Sequence, residues 1–360
     1  MLSNHILQKT ASTIVKLTGE DLAIYSPDGA PLMAFSDNDE DHGDHVREFS
    51  RSAAESQTAF GLQFLKVFDD GRVDYIVVSK DTESSMTACK ILAFQLGELS
   101  AAYRDRLDKD NFIKNLLLDN LLLVDIYSRA KKLHIEMEQS RVVMLIRLPS
   151  NHDPDELSRV KGIINIKTGD FITAVDEDSV VLVISLEEGQ TDKDIEKKAQ
   201  VLLDSFPDNL RERIRISYGN IVKELKEVSR SFKEAIMAME VGEIFFKEKR
   251  VMAYSLLGIG RLVYQLPIPL CKMFIKEIFK DKRPDDFDDE MLATINKFFE
   301  NSLNVSETSR QLYIHRNTLV YRLDKLEKAT GLDLRIFEDA ITFKIAMMVV
   351  EYMKYMEAEE

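Results

Sequence analysis

The chain has 360 residues, 45% of them apolar and 31% charged, with a formal net charge of −14. That length carries about two or three domains, and the acidic balance confines any nucleic-acid contact to a local basic patch. Apolar runs such as VVLVISL are too short to span a bilayer, the N-terminus lacks the basic and long apolar regions of a secretory signal, and the distant Cys89 and Cys271 follow no metal or redox spacing, all of which fits a reduced cytoplasm and no membrane partner.

In chain order, NHILQKTASTIVKLTG has apolar residues at helical spacing and a glycine stop. DLAIYSPDGAPLMAF reads as two strands around Pro27-Asp28-Gly29. The polar loop SDNDEDHGDH follows, then a helix over REFSRSAAESQ and a second hairpin, FGLQFLKVFDDGRVDYIVVSK, turning at Asp70-Gly71. A long helix is predicted from Glu83 to about Arg106, resuming through NFIKNLLLDNLLLVDIYSRAKKL.

The next segment alternates strand and helix over roughly a hundred residues, an α/β pattern. RVVMLIRL is a buried strand, DELSRVKGIINI a helix, and DFITAVDEDSVVLVISL a hairpin over Asp176–Asp178. The helix DKDIEKKAQVLLDSF, the strand RIRISYG and the helix LKEVSRSFKEAIMAMEVG complete it. VMAYSLLGIGRLVYQLPIPL reads as a linker, and from about Asp285 the chain is all helix. The fold class is multidomain α+β, with domains at 1–135, 138–248 and 285–360 and a linker at 249–284.

The stretch NVSETSRQLYIHRNTLVYRLDKLEKATG, Asn304–Gly331, carries the chemistry. SETSRQL is a short helix with Ser306 as its N-cap, and HRNTLVYRLDKLEKATG is a longer one. Leu319, Leu323 and Leu326 make one buried stripe, closed by Leu312 and Ile314 and by Met291, Ile295 and Phe298 of the preceding helix. This is a helix-turn-helix on a supporting helix. The outward face then holds Arg316, Asn317, Val320, Tyr321 and Asp324, with His315 and Thr318 near the helix start. Arg and Asn read guanine and adenine edges, while Thr318, Tyr321 and the free N–H groups of the helix start suit phosphates. Arg322 and Lys325 extend the basic side: Ser306–Lys328 holds five basic and three acidic residues, a positive island that points to double-stranded DNA. Polar-fronted helix pairs also occur in proteins that never touch DNA, and the generic motif has Gly at the hinge where this chain has Tyr313.

The phrase IHRNTLVYRL closely resembles the C-terminal helix-turn-helix of the sugar diacid regulator and purine catabolism regulator family of bacterial transcription factors. In that family an aromatic residue commonly occupies the hinge, which accommodates Tyr313; Val320 departs from it, standing where a basic residue is usual. YSLLGIGRLVYQLP resembles the linker before that domain, and the middle segment resembles its degenerate GGDEF-like domain. The hairpin tip VDEDS has no glycine to let the backbone approach a nucleotide, so a non-catalytic spacer or dimerisation element is expected, with no enzyme activity and no cofactor. The first segment resembles the family's PAS-like sugar-diacid-recognition domain. That resemblance implies a small anionic metabolite as ligand, held by cationic and polar donors. His42, His45, Arg47, Arg51 and Lys66 are the candidates, with Arg72 and Lys80 as further options.

Several weaker signals do not build sites. GIGRLV follows no clear strand and lacks the third glycine of a dinucleotide loop. The acidic loop Asp37–Asp44 mixes carboxylates and imidazoles without calcium-loop spacing. Two classes of function remain: a ligand-responsive transcription regulator acting as a homodimer or higher oligomer, and an interaction scaffold with a vestigial helix-turn-helix.

Overall fold

The computed structural model describes residues 2–35, 42–149, 153, 155–279 and 287–359. Most of the acidic loop lies outside the described residues, and the cation-binding expectation for it falls there. The chain divides into two compact units, Met1–Phe112 and Ile113–Glu360.

In the first unit, α1 (Asn4–Thr18) stops at Gly19, whose φ of 71° is open to glycine at no steric cost. Strands β1 (Leu22–Tyr25) and β2 (Pro31–Met33) flank the Ser26–Ala30 turn; α2 (Gly43–Arg51) follows, and then β3 (Ser56–Ala59), β4 (Leu62–Asp69) and β5 (Arg72–Lys80). The strands form one antiparallel sheet in the order β2-β1-β5-β4-β3. Its two covered faces explain why β1 and the Tyr75–Val78 stretch of β5 are apolar without alternating. Leu22, Ile24, Tyr75 and Val77 pack under Leu7, Ala11 and Ile14 of α1 and Leu92 and Leu96 of α3 (Glu83–Leu117). Ala23, Tyr25, Ile76 and Val78 pack under Val46 and Phe49 of α2. The helix α3 is continuous over 35 residues, past the break expected near Arg106.

The second unit takes in the last turn of α3, continues with α4 (Leu123–Lys132) and builds a sheet in the order β10-β9-β6-β8-β7. Its strands are β6 (Arg141–Arg147), β7 (Phe171–Thr173), β8 (Ser179–Ser185), β9 (Arg215–Tyr218) and β10 (Val251–Ala253). Helices α5 (Glu156–Ile163), α6 (Asp192–Asp204) and α7 (Asp208–Arg211) cover one face through Val160, Ile195, Ala199, Leu203 and Leu210. On the other lies α8 (Val228–Phe245), seated by the Ser231 hydroxyl accepting from Val143 N at 3.1 Å and by Ser217 donating to the Ala235 carbonyl at 2.6 Å. A Cβ at Gly219 would stand 2.0 Å from the Ser231 carbonyl oxygen, so only glycine admits this approach.

The segment assigned as a linker is structured. β10 joins the sheet in parallel with β9, and α9 (Gly260–Tyr264) and α10 (Ile268–Phe279) follow. Four helices complete the chain: α11 (Asp289–Glu300), α12 (Val305–Gln311), α13 (Arg316–Thr330) and α14 (Phe337–Glu359). Helix α14 belongs to two cores. Ala340, Phe343 and Ala346 close the α11–α13 core, while Val349 and Tyr352 pack with Ile244, Val263 and Cys271 of α8, α9 and α10. Tyr355 donates to Glu240 at 2.9 Å, and Glu240 in turn holds Arg147 of β6 at 2.7 Å. Among the described residues, no helix is long and apolar enough to cross a membrane.

Candidate nucleic-acid interface

The platform for α13 is the expected one except at Leu312, which is half-buried and does not join the core. Leu319, Leu323 and Leu326 are fully buried against Met291, Ile295 and Phe298, and Ile314 packs at the edge of the same core. The cap of α12 is Asn304, whose side chain accepts from Glu307 N at 3.0 Å; Ser306 lies inside the helix and does not cap it. On α12, the Arg310 guanidinium and the Gln311 amide hold the Glu307 carboxyl down to about 2. His315 caps α13, its Nδ1 accepting from Asn317 N at 3.2 Å, and Gly331 ends the helix at φ 82°. Capping by the imidazole fixes its ring beside the helix start, where the remaining free N–H groups point outward.

Arg316, Asn317, Thr318 and Tyr321 are exposed, and among the described residues none of their side chains is tied to another part of the chain. They form one open surface at the N-terminal half of α13. Two expected contributors are turned away from it. Arg322 is only 20% exposed, donating to Thr294 at 2.9 Å and to Glu290 at 2.7 Å. It flanks the leucine stripe and clamps α13 to α11. Lys325 leans toward Asp288 at 3.7 Å while staying exposed. Val320 is half-buried beside the stripe.

The acids of α13 are not free either. Arg335 holds Asp324 at 2.9 Å, Glu327 at 3.1 Å and Asp333 at 2.6 Å. This single guanidinium draws two carboxylates of the helix toward the start of α14, lessening the negative field on the outward face.

A basic side chain at position 320 could extend past its half-buried stem toward the surface. Val320→Arg is therefore expected to tighten DNA binding and to steepen its salt dependence by about 0.9 for each phosphate engaged. Titration at two salt concentrations checks this, and an unchanged slope would place residue 320 out of reach of the backbone.

In the first unit the five sensor candidates do not converge on one cavity. Lys66 is 7% exposed, its ammonium donating to the Ser52 carbonyl at 2.6 Å and lying over the Phe49 ring; it anchors α2 to β4 and is no free ligand donor. Arg47 donates to the Asp28 carbonyl at 2.9 Å and pairs with Asp44 at 2.8 Å. His42 meets Phe35 edge-on, and Arg51 is exposed. His45 stacks on Phe60 and lines a cleft of about 130 Å³ with Glu48, Phe49, Ser52 and Gln57. A wider groove of about 840 Å³ between α1 and β2 is lined by His5, Gln8, Lys9 and Ser12, which sequence reasoning did not single out.

A capped helix with an open polar front, mounted on a leucine-packed helix pair behind an α/β domain, defines the chain as a multidomain helix-turn-helix transcription regulator. Residues 291–349 match the PucR C-terminal helix-turn-helix domain, and residues 120–241 match the GGDEF-like domain. Both matched domains liken the chain to the sugar diacid regulator and purine catabolism regulator family. The carbohydrate diacid regulator of Escherichia coli (strain K12) is 25% identical over 264 residues, 68% of this chain and 67% of that protein. The purine catabolism regulatory protein of Bacillus subtilis (strain 168) is 29% identical over 135 residues, 37% of this chain and 25% of that protein. The DNA-binding transcriptional activator AdeR of Bacillus subtilis (strain 168) is 29% identical over 174 residues, 46% of this chain and 40% of that protein.

Proposed function

We propose that the chain controls transcription by binding double-stranded DNA through α13, as a homodimer or higher oligomer, under the influence of a small anionic metabolite held by its N-terminal unit. The open front of Arg316, Asn317 and Thr318 on a rigid, buried-leucine platform carries this reading. Arg316 and Asn317 read base edges, and His315, Thr318 and Tyr321 hold the backbone. Paired half-sites on DNA call for paired recognition helices.

The antiparallel order β2-β1-β5-β4-β3, helix-covered on both faces, supports a PAS-like sensor within residues 1–112, short of the expected bound at 135. We assign residues 138–253 to the GGDEF-like domain, including β10, and 285–360 to the DNA reader. The ligand class, a sugar diacid or related carboxylate, follows the name of the carbohydrate diacid regulator. Among the described residues, donors for an anion are offered by the His5–Lys9 groove and by the His45 cleft, where Ser52 and Gln57 stand beside Glu48. A ligand bound only by the folded state raises its melting temperature, so a thermal-shift screen of sugar and hydroxy diacids on the full chain tests the sensor assignment. A screen in which no small acid shifts the well-folded protein removes it.

The middle domain is non-catalytic. Its hairpin tip, Asp176, Glu177 and Asp178, carries no glycine to let the backbone approach a nucleotide. Purified protein with GTP and a divalent metal is expected to show no cyclic dinucleotide. Turnover that follows the protein through purification and disappears on substituting Asp176–Asp178 would overturn this.

The test of the main reading is an anisotropy titration of the full chain against DNA upstream of its own gene and against a scrambled duplex, at rising salt. A preference for the upstream DNA is expected. Equal weak binding to both would favour a protein-interaction scaffold, a reading to which the inward-turned Arg322 and the net charge of −14 lend weight.

A further inference from the structure

The hinge between α12 and α13 holds a residue that the packing of the fold does not require. Tyr313 sits at φ 56°, in the left-handed region where a side chain collides with its own backbone and glycine does not. The conformation is imposed by the turn: Tyr313 N donates to the Arg310 carbonyl at 3.2 Å and Ile314 N to the Ser309 carbonyl at 3.1 Å. The side chain gives nothing back to the fold. It is 97% exposed, and among the described residues it has no hydrogen-bond or ring partner. Packing would be served as well by glycine, and backbone strain retained without a packing gain concentrates at functional positions.

Its place in the chain says what that function is. Tyr313 lies two residues before His315, the cap of α13, on the approach to the open front of Arg316, Asn317 and Thr318. Tyr321, 69% exposed, stands on the same helix a turn beyond that front. Two exposed phenols thus bracket the helix start, one on each side in sequence. A phenol is suited to this position on an acidic protein, since it offers a hydrogen-bond donor to a phosphate oxygen and an apolar ring to the sugar without needing a counter-ion.

We propose that Tyr313 is a DNA-backbone contact, donating its hydroxyl to a phosphodiester next to the base pairs faced by Arg316. This rests on the reading of α13 as a DNA-reading helix. The contact is to the backbone, so it sets affinity and the angle of docking and leaves base preference unchanged.

The test uses the full chain in three variants, with melting temperature and binding to specific and scrambled duplexes measured for each. Tyr313→Asn keeps a residue that tolerates the left-handed region and removes the phenol. Binding is expected to fall about tenfold on both duplexes, as for loss of one hydrogen bond to a charged oxygen, with the melting temperature held within about 2 °C. Tyr313→Gly is expected to lose binding to the same extent while the melting temperature stays level or rises. Tyr313→Phe is expected to lie between, since the ring remains. Retained affinity in both the Asn and Gly variants overturns the proposal, as does a loss confined to Gly, which would assign the effect to hinge flexibility. A wild-type chain that shows no preference for the specific duplex sinks the DNA reading itself, a different result from a wild type that binds and variants that match it.

Discussion

Leu323→Ala is expected to cost the C-terminal helical domain about 2–5 kcal/mol, the transfer free energy of the lost methyl groups plus the cavity they leave. Leu323 is 1% exposed, between Leu319 and Leu326 and against the α11 wall of Met291, Ile295 and Phe298. The neighbours that could collapse into the space are fixed from both sides, because Phe343 and Ala346 belong to α14 and α14 is also anchored among α8, α9 and α10. The cost should therefore fall in the upper part of that range and appear as an earlier urea midpoint for the helical signal. Leu262→Ala on α9 is the comparison, since Leu262 is largely exposed and its loss should stay within about 0.5 kcal/mol. Equal midpoints for the two variants would mean that the leucine stripe is not the platform on which α13 rests.

That platform was legible because a buried helical stripe leaves a periodic mark: Leu319, Leu323 and Leu326 recur at helical spacing with no competing apolar face on α13. The glycine stop at Gly19 was equally plain, as the residue type and the backbone geometry coincide there. Strand β3 was missed for a physical reason. Ser56, Gln57 and Thr58 are polar and exposed at the edge of the sheet, so pairing with β4 sets the strand and burial does not. Strand β10 is three residues long and owes its place to the parallel ladder with β9, a long-range contact with no local signature. The apolar residues that follow it resemble a linker because α9 and α10 divide their surface between a buried edge and exposed Leu262, Leu270 and Met273.

Polar side chains were the hardest to place. Arg322 and Lys66 were both chosen for charge. Arg322 instead spans α13 and α11, and Lys66 fills the space beneath Phe49 with its ammonium on the Ser52 carbonyl. Each partner lies many positions away, at Glu290, Thr294 or Ser52, and no spacing rule within one element could have pointed to it. Position 322 sits directly before Leu323 at the rim of the buried stripe, and that flanking position was the available signal. Arg316, by contrast, shares its direction on the helix with Leu323 and is open because it stands at the first position of α13, beyond the end of the buried stripe.

Arg316→Ala is accordingly expected to weaken binding to the specific site by about 1–3 kcal/mol and to relax preference at one base pair, the signature of a lost guanidinium contact to a guanine edge. The fold should not register the change. Arg316 is exposed at the first position of α13, its side chain ties to nothing else among the described residues, and alanine is a better helix former than arginine. This separates it from Arg322→Ala, which removes the clamp on Glu290 and Thr294 and should show its effect in the unfolding midpoint before it shows in base preference. Selectivity is read from the ratio of affinities for the specific and scrambled duplexes, compared at two salt concentrations so that the general loss of one positive charge is divided out. Because that charge is lost on every sequence, the scrambled duplex should weaken too, but by less. Arg316→Ala protein that keeps the wild-type ratio and a wild-type midpoint would mean that the open front of α13 does not read bases, and Asn317 and Thr318 would lose their assigned roles with it.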